Sequence, residues 1–491
     1  MLRFANGSVR LGSWLSLQVA GVQIFLQGKL LGIEAFLEDS GSDPAVFAGR
    51  CLYASLLAEA VPRALLARLG LSPELLGTSG GGQFLAVLAA EHRPAAHEFL
   101  IDVTRQLAVF TSGRMRLAWA VTENLGAWSD VRKRLDEAMT RWRGTAALEQ
   151  AGVFDPFVPR TAEADAFYAA LWHRLPDSAA VQWDPMAPGM LAPADLPLPV
   201  ATHTAPNDTD HAPALPTELA ARSSGAAAWG VLRGDVDGLT ERLKKAASVE
   251  EHIQVSVLLK QLFAGEAQAL ATQPEFWRKV TVLYTGGDDF AVFGCWDALI
   301  AFASEMHRIF SAGVEEILRE FPGPEGKTLS MALALAPALE SSLADVYGEA
   351  GRLLEIAKSE GRDAICLFGR TLDWKQFGAA AELQKTLVRL IDDFGCQPQL
   401  LGDLAGFYRE TDRVLPARAG RRAVETQDRP WRFYRRLSRV LDVPARSRDF
   451  QKARKSLLEE FLNRRQASVK LKPSGRVALD WARLAQEGQT R

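Results

Sequence analysis

The sequence predicts an α+β protein with two ferredoxin-like (βαββαβ) palm domains followed by a C-terminal helical domain. Three observations predict this fold class. The second half alternates apolar strands with amphipathic helices, the first half repeats that outline more loosely, and the pattern after about Trp374 is helical. The 491 residues, 48% of them hydrophobic, allow roughly two to four domains. The predicted boundaries are a first palm at 1–155, a proline-rich linker or degenerate insert at 156–228, a second palm at 229–375 and the helical domain at 376–491.

The second half gives the clearest order of elements. "WGVLRGDVDGL" (Trp229–Leu239) is a short apolar strand that ends in acids, and Val249–Ala271 is predicted as a helix with one apolar face. The strands "VTVLYTG" and "FAVFG" join at a "GGDD" turn, where glycines permit a tight reversal. The helix "WDALIAFASEMHRIF", the strand "LSMALALAP", the helix "LADVYGEAGRLLEIAKSEG" and the strand "DAICLFG" complete the unit. This β-α-β-β-α-β order is that of a ferredoxin-like palm.

The first half is predicted to be a distant copy. "WLSLQVAGVQIF" is interpreted as a strand running into a helix, "LLGTSGGGQFLAVLA" as two strands about a glycine turn, "RMRLAWAVTEN" as a later strand and "WSDVRKRLDEAMTRW" as a helix. In this alignment "QVAG" (Gln18–Gly21) stands where the second half has "DVDG", and "SGGG" (Ser79–Gly82) where it has "GGDD". The acids survive in only one copy, so the first palm is predicted to be non-catalytic.

Two segments differ in composition from the palms. Pro176–Pro216 holds nine of the 24 prolines and has no helical or alternating period, which indicates an extended linker or irregular insert. Arg413–Lys472 holds 18 Lys or Arg against six Asp or Glu, with aromatic residues interleaved as in "RPWRFYRRLSRVL". That density favours contact with RNA or an acidic partner subunit, although a solvated helical face would show the same charges.

The overall composition excludes several classes of protein. A formal net charge of -2 argues against a simple nucleic-acid coat protein. The four cysteines are far apart and form no CxxC pair, so we expect reduced thiols rather than a zinc ribbon or a disulfide framework. The N-terminus lacks a signal-peptide profile and no uninterrupted apolar run reaches membrane-spanning length. These observations predict a soluble cytoplasmic protein.

Three carboxylates are the candidate catalytic group. Asp235 ends one strand, and Asp288 and Asp289 lie in the hairpin of a strand that neighbours it in a palm, so we expect them to converge. Such a cluster can bind two divalent cations, Mg²⁺ or Mn²⁺, which activate a ribose hydroxyl and neutralise a triphosphate. An acidic hairpin turn without a function is the alternative for "GGDD" alone.

Basic residues follow on the last helix of the second palm. "AKSEGRD" places Lys358 and Arg362 four residues apart, which predicts one helical face that can hold phosphates. The alternative is that both merely stabilise a helix C-terminus, where positive charge is favourable.

The ordered set of motifs resembles a known family. "DVDG", "YTGGDDF", "AKSEGRD" and "CLFGRTLDW" resemble the large palm-domain subunit of type III CRISPR effector complexes, closest to the type III-A form. Its second palm is related to GGDEF diguanylate cyclases and class III nucleotide cyclases. The early "VAGVQIFLQG" resembles the family's DISGIQxF segment, and "GTSGGGQF" its first-palm glycine turn.

The resemblance implies a nucleotidyltransferase that converts two bound ATP molecules into 3′-5′ cyclic oligoadenylate when target RNA is bound. Asp235, Asp288 and Asp289 would be the catalytic metal ligands. The nucleotides would be contacted by Gly286, Gly287, Lys358 and Arg362, and on the acceptor side by Ser79, Gly80, Gly81 and Gly82. The implied partners are guide RNA, target RNA, and the small and backbone CRISPR subunits.

Two features of many relatives are not found in this sequence. It has no His-Asp dipeptide of the relatives' nuclease domain, and its proline-rich stretch has no cysteines of their four-cysteine zinc module, so we expect no DNase activity. Two other functions stay open. One is a catalytically silent palm-fold scaffold that anchors guide RNA and partner subunits, and the other is a free-standing cyclase.

Overall fold

The structure is a computed structural model. It describes residues 22–149, 162–173, 182–183, 191–192, 200–319, 323–412, 424–426, 435, 439, 447–463 and 468–487. The predicted "QVAG" turn and most of the basic segment Arg413–Lys472 lie outside the described residues.

The first palm is a four-stranded antiparallel sheet with helices packed on it. Its strands are β1 (Gln23–Leu31), β2 (Leu76–Gly80), β3 (Gln83–Ala89) and β4 (Arg116–Glu123), in the order β2-β3-β1-β4. Its helices are α1 (Ile33–Glu38), α2 (Pro44–Arg68), α3 (Arg93–Phe110) and α4 (Trp128–Glu149), with short 3₁₀ turns at Pro73–Leu75 and Ala90–His92. The chain order and the strand order are those of a ferredoxin-like domain, which confirms the predicted class.

The second palm is a six-stranded sheet. Its strands are β5 (Trp229–Val236), β6 (Val280–Thr285), β7 (Asp289–Cys295), β8 (Leu329–Leu335), β9 (Ala364–Leu367) and β10 (Arg370–Asp373), in the order β10-β9-β8-β5-β7-β6. Its helices are α6 (Pro216–Ala221), α7 (Leu239–Lys245), α8 (Val249–Gln261), α9 (Ala267–Ala271), α10 (Trp296–Ile317) and α11 (Leu343–Ser359). A π-helical turn, Leu262–Glu266, joins α8 to α9. The predicted order of elements is confirmed, and β10, which the sequence did not indicate, adds an edge strand beside β9.

The helix of Val249–Ala271 shows how local sequence sets a boundary. Ser248 accepts a hydrogen bond from the backbone N–H of Glu251 (3.3 Å), and the Glu251 carboxylate accepts one from the N–H of Ala247 (2.7 Å). The first bond satisfies an amide that the first helical turn leaves without an intrahelical partner, and the second ties the residue before the N-cap to the helix.

The pairing of strands corrects the predicted alignment of the two palms. Gly28 of β1 lies opposite Phe84 of β3, as Gly234 of β5 lies opposite Phe290 of β7, and in both pairs a side chain on the glycine would collide with the phenylalanine ring. Four residues after each of these glycines comes a glycine with positive φ, Gly32 (82°) or Gly238 (72°), which precedes the next helix. The counterpart of "GDVDG" is therefore "GKLLG" at 28–32, and the prediction that "QVAG" fills this role is wrong.

The corrected register explains why the first palm lacks acids at this place. Lys29 pairs with Gln83 where Asp235 pairs with Asp289 in the second palm. The prediction of a helix at the end of "WLSLQVAGVQIF" is also wrong for its described part, because Gln23 to Phe25 begin β1. The buried side chains Ile24, Phe25 and Leu26 form a continuous apolar run, which does not distinguish a central strand from a buried helix.

The region predicted as a linker contains structured parts. Helix α5 (Ala162–His173) packs along α2, and its buried Tyr168 makes an edge-to-face contact with Phe36 of the first palm. Beyond it are the two-residue strands Gln182–Trp183 and Leu191–Ala192. Residues 200–205 then lie against the edge strand β6, since the N–H of Val282 donates to the carbonyl of His203 (2.9 Å). The segment thereby covers part of an otherwise open sheet edge.

The C-terminal region is mainly helical in the residues that the structure describes, as predicted. Its helices are α12 (Trp374–Asp392), α13 (Gln399–Asp412), α14 (Arg448–Phe461) and α15 (Pro473–Glu487), and α12 packs on α15. A small sheet that was not predicted is formed by Val424–Thr426, Leu462–Asn463 and Ser468–Leu471.

The core contains the cysteines and the long apolar helix α2. Cys51, Cys295, Cys366 and Cys396 are all buried free thiols. Helix α2 is long and apolar enough to cross a membrane by length and composition, but 89% of its most apolar window is buried inside the protein. Its residues pack against α5, the first sheet and the second palm, which is the environment of a core helix.

Candidate active site

The strand register brings the predicted carboxylates together. Asp235, near the end of β5, lies directly opposite Asp289, the first residue of β7. Asp288 precedes it in the turn, and its carbonyl accepts a hydrogen bond from the N–H of Val236 (2.9 Å). The neighbouring strands predicted from the β-α-β-β order thus place all three acids at one edge of the second palm.

Two of these carboxylates have side-chain partners. Oδ1 of Asp235 lies 2.9 Å from Nζ of Lys358, which also contacts Glu355 at 3.4 Å. Oδ2 of Asp289 accepts a hydrogen bond from the hydroxyl of Tyr284 (3.0 Å). Lys358 is therefore in direct contact with the acidic cluster, and the charge of Arg233 also acts on Asp289.

Burial raises the pKa values of the three carboxyl groups, and repulsion between the acids adds to this rise at Asp235 and Asp288. Burial raises the pKa of Asp235 to about 6, and the charge of Lys358 only partly opposes this rise. Burial together with the nearby charges of Asp289 and Asp235 raises the pKa of Asp288 to about 7. Burial also raises the pKa of Asp289, against the hydrogen bond from Tyr284. Carboxylates with raised pKa values at a cavity are typical of functional sites and of sites that take up cations.

The donor chemistry fits a divalent cation. Mg²⁺ and Mn²⁺ prefer oxygen ligands, and the three carboxylates supply oxygen alone. As the side chains are placed, however, no group of three His, Cys, Asp or Glu residues in the described part of the chain is arranged to hold a metal ion. Oδ1 of Asp235 is paired with Lys358, and Oδ2 of Asp289 accepts a hydrogen bond from Tyr284. Metal binding at Asp235 would require Lys358 to release it, whereas Tyr284 engages only one oxygen of Asp289.

A fourth acid nearby has a structural role. Asp237 is buried and accepts hydrogen bonds from Thr328 (2.9 Å), Ser330 (2.8 Å) and the backbone N–H of Asp363 (2.9 Å). These bonds tie the end of β5 to β8 and to the loop after α11.

Three cavities adjoin the carboxylates. One of about 450 Å³ is lined by five acidic and three basic side chains, including Asp235, Asp289, Lys358 and Arg233. Its volume lies within the range of about 300–1,000 Å³ that is usual for small-molecule sites. Because acids outnumber bases on its walls, a triphosphate there would need added cations. A second cavity of about 230 Å³ lies between the palms, with Gly80–Gly82 on one side and Gly286 on the other. A third of about 220 Å³ is lined by Asp288 together with Ser79 and Gly80 of the first palm.

The glycine turns of the two palms meet at this place. A Cβ atom on Gly80 would lie 3.3 Å from the backbone nitrogen of Gly287, and one on Gly81 would lie 3.7 Å from Oδ1 of Asp288. Gly80, Gly81 and Gly82 all have positive φ, a conformation that favours glycine. A side chain on Gly286 would collide with the carboxylate of Asp289. Both turns therefore require glycine to approach each other and the acids.

Lys358 and Arg362 do not share a helical face. Helix α11 ends at Ser359, Gly361 has φ 134°, and Arg362 itself has φ 63°. The prediction of an i, i+4 pair on one face is wrong, because the glycine in "SEGRD" ends the helix first. Lys358 reaches Asp235, whereas the guanidinium of Arg362 lies near Gly238 at the following turn.

Several side chains at the site were not found from the sequence. Arg233 stacks on the ring of Tyr347 (4.2 Å to the centroid), and its Nη2 contacts the Tyr284 hydroxyl at 3.4 Å. Tyr284 in turn donates to Asp289, so these residues form a layer behind that carboxylate. An arginine within an otherwise apolar strand was the available indication, since such a charge requires partners.

Ser79, predicted to line the acceptor nucleotide, is engaged in a network between the palms. Its hydroxyl lies 2.9 Å from Oε2 of Glu59 and 2.9 Å from Nζ of Lys260. Glu59 belongs to α2 and Lys260 to α8, and neither was singled out from the sequence.

Part of the chain is similar in sequence to known proteins. Residues 228–366 match the family described as "Cas10/Cmr2, second palm domain". Over 173 residues the chain is 28% identical to the "CRISPR system single-strand-specific deoxyribonuclease Cas10/Csm1 (subtype III-A)" of Thermococcus onnurineus, which covers 31% of this chain and 20% of that protein. The protein of the same description from Mycobacterium tuberculosis is 29% identical over 178 residues, covering 32% of this chain and 21% of its own length. The matched part thus spans about a fifth of these relatives.

Solved structures extend the likeness across most of the chain. A crystal structure described as "Csm1-Csm4 cassette in complex with cA4" superposes with a TM-score of 0.69 at 17% identity, covering 95% of this chain and 70% of the other. The "Csm1-Csm4 subcomplex in the type III-A CRISPR-Csm interference complex" gives 0.69 at 18% identity with the same coverage. A cassette in complex with AMPPNP gives 0.66 at 18% identity. At such identity the superpositions establish the shared fold.

Proposed function

We propose, from the match of residues 228–366 to the Cas10/Cmr2 second palm domain, that the chain is the nucleotide-polymerising subunit of a type III CRISPR effector complex. The reaction is the joining of ATP into 3′-5′ cyclic oligoadenylate when target RNA is bound. The observation that supports this most is the pairing of Asp235 with Asp289 beside Asp288, at the wall of a cavity large enough for a nucleotide.

The carboxylates have the roles of ion ligands in this proposal. Asp235, Asp288 and Asp289 would hold two divalent cations, Mg²⁺ or Mn²⁺, through oxygen ligands. Such ions would supply Lewis acidity for an attacking ribose hydroxyl and positive charge for the triphosphate and its pyrophosphate leaving group. Tyr284 orients one oxygen of Asp289 by hydrogen bonding, and Arg233 holds Tyr284 in place.

Lys358 and the glycines have the role of receiving ATP. Lys358 exchanges Asp235 for a phosphate oxygen, so the acid becomes available to a cation as the lysine becomes available to the substrate. Of the two glycine amides, that of Gly286 already donates to the carbonyl of Asp289 (2.7 Å). We therefore assign the phosphate contact to the amide of Gly287. Gly80, Gly81 and Gly82 face the acceptor nucleotide across the cavity between the palms.

The proposed partners follow from the relatives. The superposed crystal structures contain Csm1 with Csm4, and two of their descriptions add cA4 or AMPPNP. For this chain we propose guide RNA, target RNA and the backbone and small subunits as partners, with the basic segment Arg413–Lys472 as a contact region.

A catalytically silent scaffold is the second candidate. It is favoured by the 2.9 Å ion pair between Asp235 and Lys358, which would persist in a purely structural role. A free-standing cyclase is disfavoured, because the two palms that such enzymes bring together from separate chains meet here within one chain.

The test is conversion of labelled ATP by the purified chain, alone and assembled with guide-loaded partner subunits and target RNA. We expect product only in the complete assembly. Product from the chain alone would indicate the free-standing cyclase. Its absence under every condition, with target RNA shown to be bound, would leave the scaffold.

A further inference from the structure

Lys260 of the second palm reaches across to the first palm. Its Nζ lies 2.5 Å from Oε1 of Glu59 and donates to the Ser79 hydroxyl at 2.9 Å. Ser79 in turn donates to Oε2 of Glu59 at 2.9 Å. The three side chains form a closed ring that joins α8 of one palm to α2 and the glycine turn of the other.

The charged groups of the ring are largely shielded from water, so each depends on its partner in the ring. The side chain of Glu59 is 2% exposed and that of Lys260 is 12% exposed. Arg63 adds a second cation 2.6 Å from Glu59. Removing one member of a buried ion pair leaves an uncompensated charge, so the partners have a strong preference for staying together.

The ring adjoins the contact between the glycine turns. A Cβ atom on Gly80 would lie 3.6 Å from Cδ of Lys260 and 3.3 Å from the nitrogen of Gly287. The same helix α8 is held by the first palm elsewhere, because Ile253 packs against Gly77 and His252 meets the ring of Trp128 edge to face at 5.4 Å. Helix α8 is thus one of the contacts between the palms, beside the packing of α2 on β6 and α11.

The helix is locally distorted just beyond Lys260. The π-helical turn Leu262–Glu266 begins two residues later. Such turns insert a residue into a helix, shift the direction of the side chains that follow, and are frequent at functional sites. Here the turn lets one helix present Lys260 to the first palm while Phe263 packs on Phe290 within the second.

We propose that Lys260 is a positioning residue that fixes the first palm's glycine turn, Ser79–Gly82, against the second palm's Gly286–Asp289 turn. In the synthetase reaction, on which this inference rests, one turn faces the acceptor nucleotide and the other the nucleotide under attack. Lys260 touches neither nucleotide and acts through Glu59 and Ser79. Its contacts set the separation across which the hydroxyl must meet the α-phosphorus.

The experiment compares three changes in the full chain. Lys260→Met removes the charge at similar length, and Lys260→Arg keeps it. The double variant Glu59→Met with Lys260→Met removes both charges of the pair, and only Arg63, whose side chain is 33% exposed to water, loses its carboxylate partner. Lys385→Met, the same change at an exposed lysine of α12, is the matched control.

The first measurement reads the separation of the palms without any reaction. Spin labels are placed on Arg105→Cys in α3 and Arg308→Cys in α10, whose side chains are 75% and 67% exposed. All four natural cysteines are buried and would not compete for the label under native conditions. We expect a broader distance distribution in Lys260→Met and in the double variant, and the wild-type distribution in Lys260→Arg and Lys385→Met. A wild-type distribution in the double variant would overturn the proposal.

The second measurement is the rate of ATP conversion in the assembled complex. A misplacement of about 1 Å between reacting groups can reduce a rate on the order of 100-fold. We expect Lys260→Met to lower kcat on the order of 10- to 100-fold with little change in KM for ATP, and Lys260→Arg to restore it. Unchanged kcat in Lys260→Met would also overturn the proposal. If the wild-type complex makes no product, the proposed function fails, and the distance measurement alone decides the role of Lys260.

Discussion

Replacing Asp288 by Asn should stabilise the metal-free protein at neutral and alkaline pH. In the unfolded chain an aspartate loses its proton near pH 4. In the folded protein, burial and the neighbouring Asp289 and Asp235 raise the pKa of Asp288 to about 7. Between these two values the native state binds more protons than the unfolded state, so its stability falls as the pH rises. Asparagine has no charge to lose and escapes this penalty.

The size of the effect follows from the pKa difference. A change from 3.8 to about 7 corresponds to an upper limit of about 4 kcal/mol at 1.36 kcal/mol per pKa unit. Asp288 shares its repulsion with the other two acids and is partly exposed to water, which reduces the penalty. We expect the free energy of unfolding of Asp288→Asn to exceed that of wild type by about 1–3 kcal/mol at pH 8, and the gain to shrink as the pH falls towards 4.

The assay is urea unfolding followed by tryptophan fluorescence in EDTA, at pH 5 and at pH 8. Asp102→Asn, at an exposed carboxylate of α3, is the matched control and should show no such gain. Adding Mg²⁺ should raise the unfolding midpoint of wild type and leave that of Asp288→Asn nearly unchanged, because ligands that bind only the folded state stabilise it. A variant that is no more stable than wild type at pH 8 would refute the reasoning about this cluster.

Three other predictions concern the substrate, the partners and an expected inactivity. Lys358→Met should lower kcat/KM for ATP by about 10- to 100-fold, because a charge-assisted hydrogen bond worth about 1–3 kcal/mol is lost. If Lys358 only stabilises the end of the helix, the substitution would leave turnover unchanged. Replacing Arg432, Arg435, Arg436 and Arg439 of the basic segment by Ala should weaken binding to guide-loaded partner subunits, most strongly at low salt. The affinity of this variant should also depend less on salt concentration than that of wild type. An affinity and a salt dependence equal to those of wild type would exclude the docking role of the segment. The purified chain should not cut single-stranded DNA, and metal-dependent cutting that survives the Asp288→Asn/Asp289→Asn double substitution would reveal a nuclease site elsewhere.

The second palm could be predicted because short stretches of its sequence are enough to identify its strands and helices. Each of its main strands and helices has a clear period, and the β-α-β-β order alone makes β5 and β7 neighbours. The pairing of Asp235 with Asp289 follows from that order. The edge strand β10 could not be predicted, because "RTLD" has neither length nor alternation.

The first palm was predicted in outline but not in register. Its counterpart of the acidic strand end is "GKLLG", in which the acids are replaced by lysine and leucine, so no acidic residue marks the equivalence. Gly28 and Gly32 keep the spacing of Gly234 and Gly238, and this glycine pair was the usable indication. The predicted pairing of Lys358 with Arg362 failed for a local reason, the helix-ending Gly361.

The contacts between the palms were beyond sequence reasoning. Lys260 and Ser79 are 181 residues apart, and no local pattern links them. Their contact depends on how two complete domains pack, and Glu59 looks like an ordinary helical glutamate until that packing buries it. The layer of Arg233, Tyr284 and Tyr347 behind Asp289 arises in the same way, from strands and a helix that meet only in the fold.

The most direct measurement is the mass spectrum of the products that the assembled complex makes from ATP and Mg²⁺ with target RNA bound. The account predicts 3′-5′ linked cyclic oligoadenylate from wild type, and none from the Asp288→Asn/Asp289→Asn double variant assembled to the same extent. Equal product from that variant, or no oligoadenylate from a wild-type complex that has bound its target RNA, would contradict it.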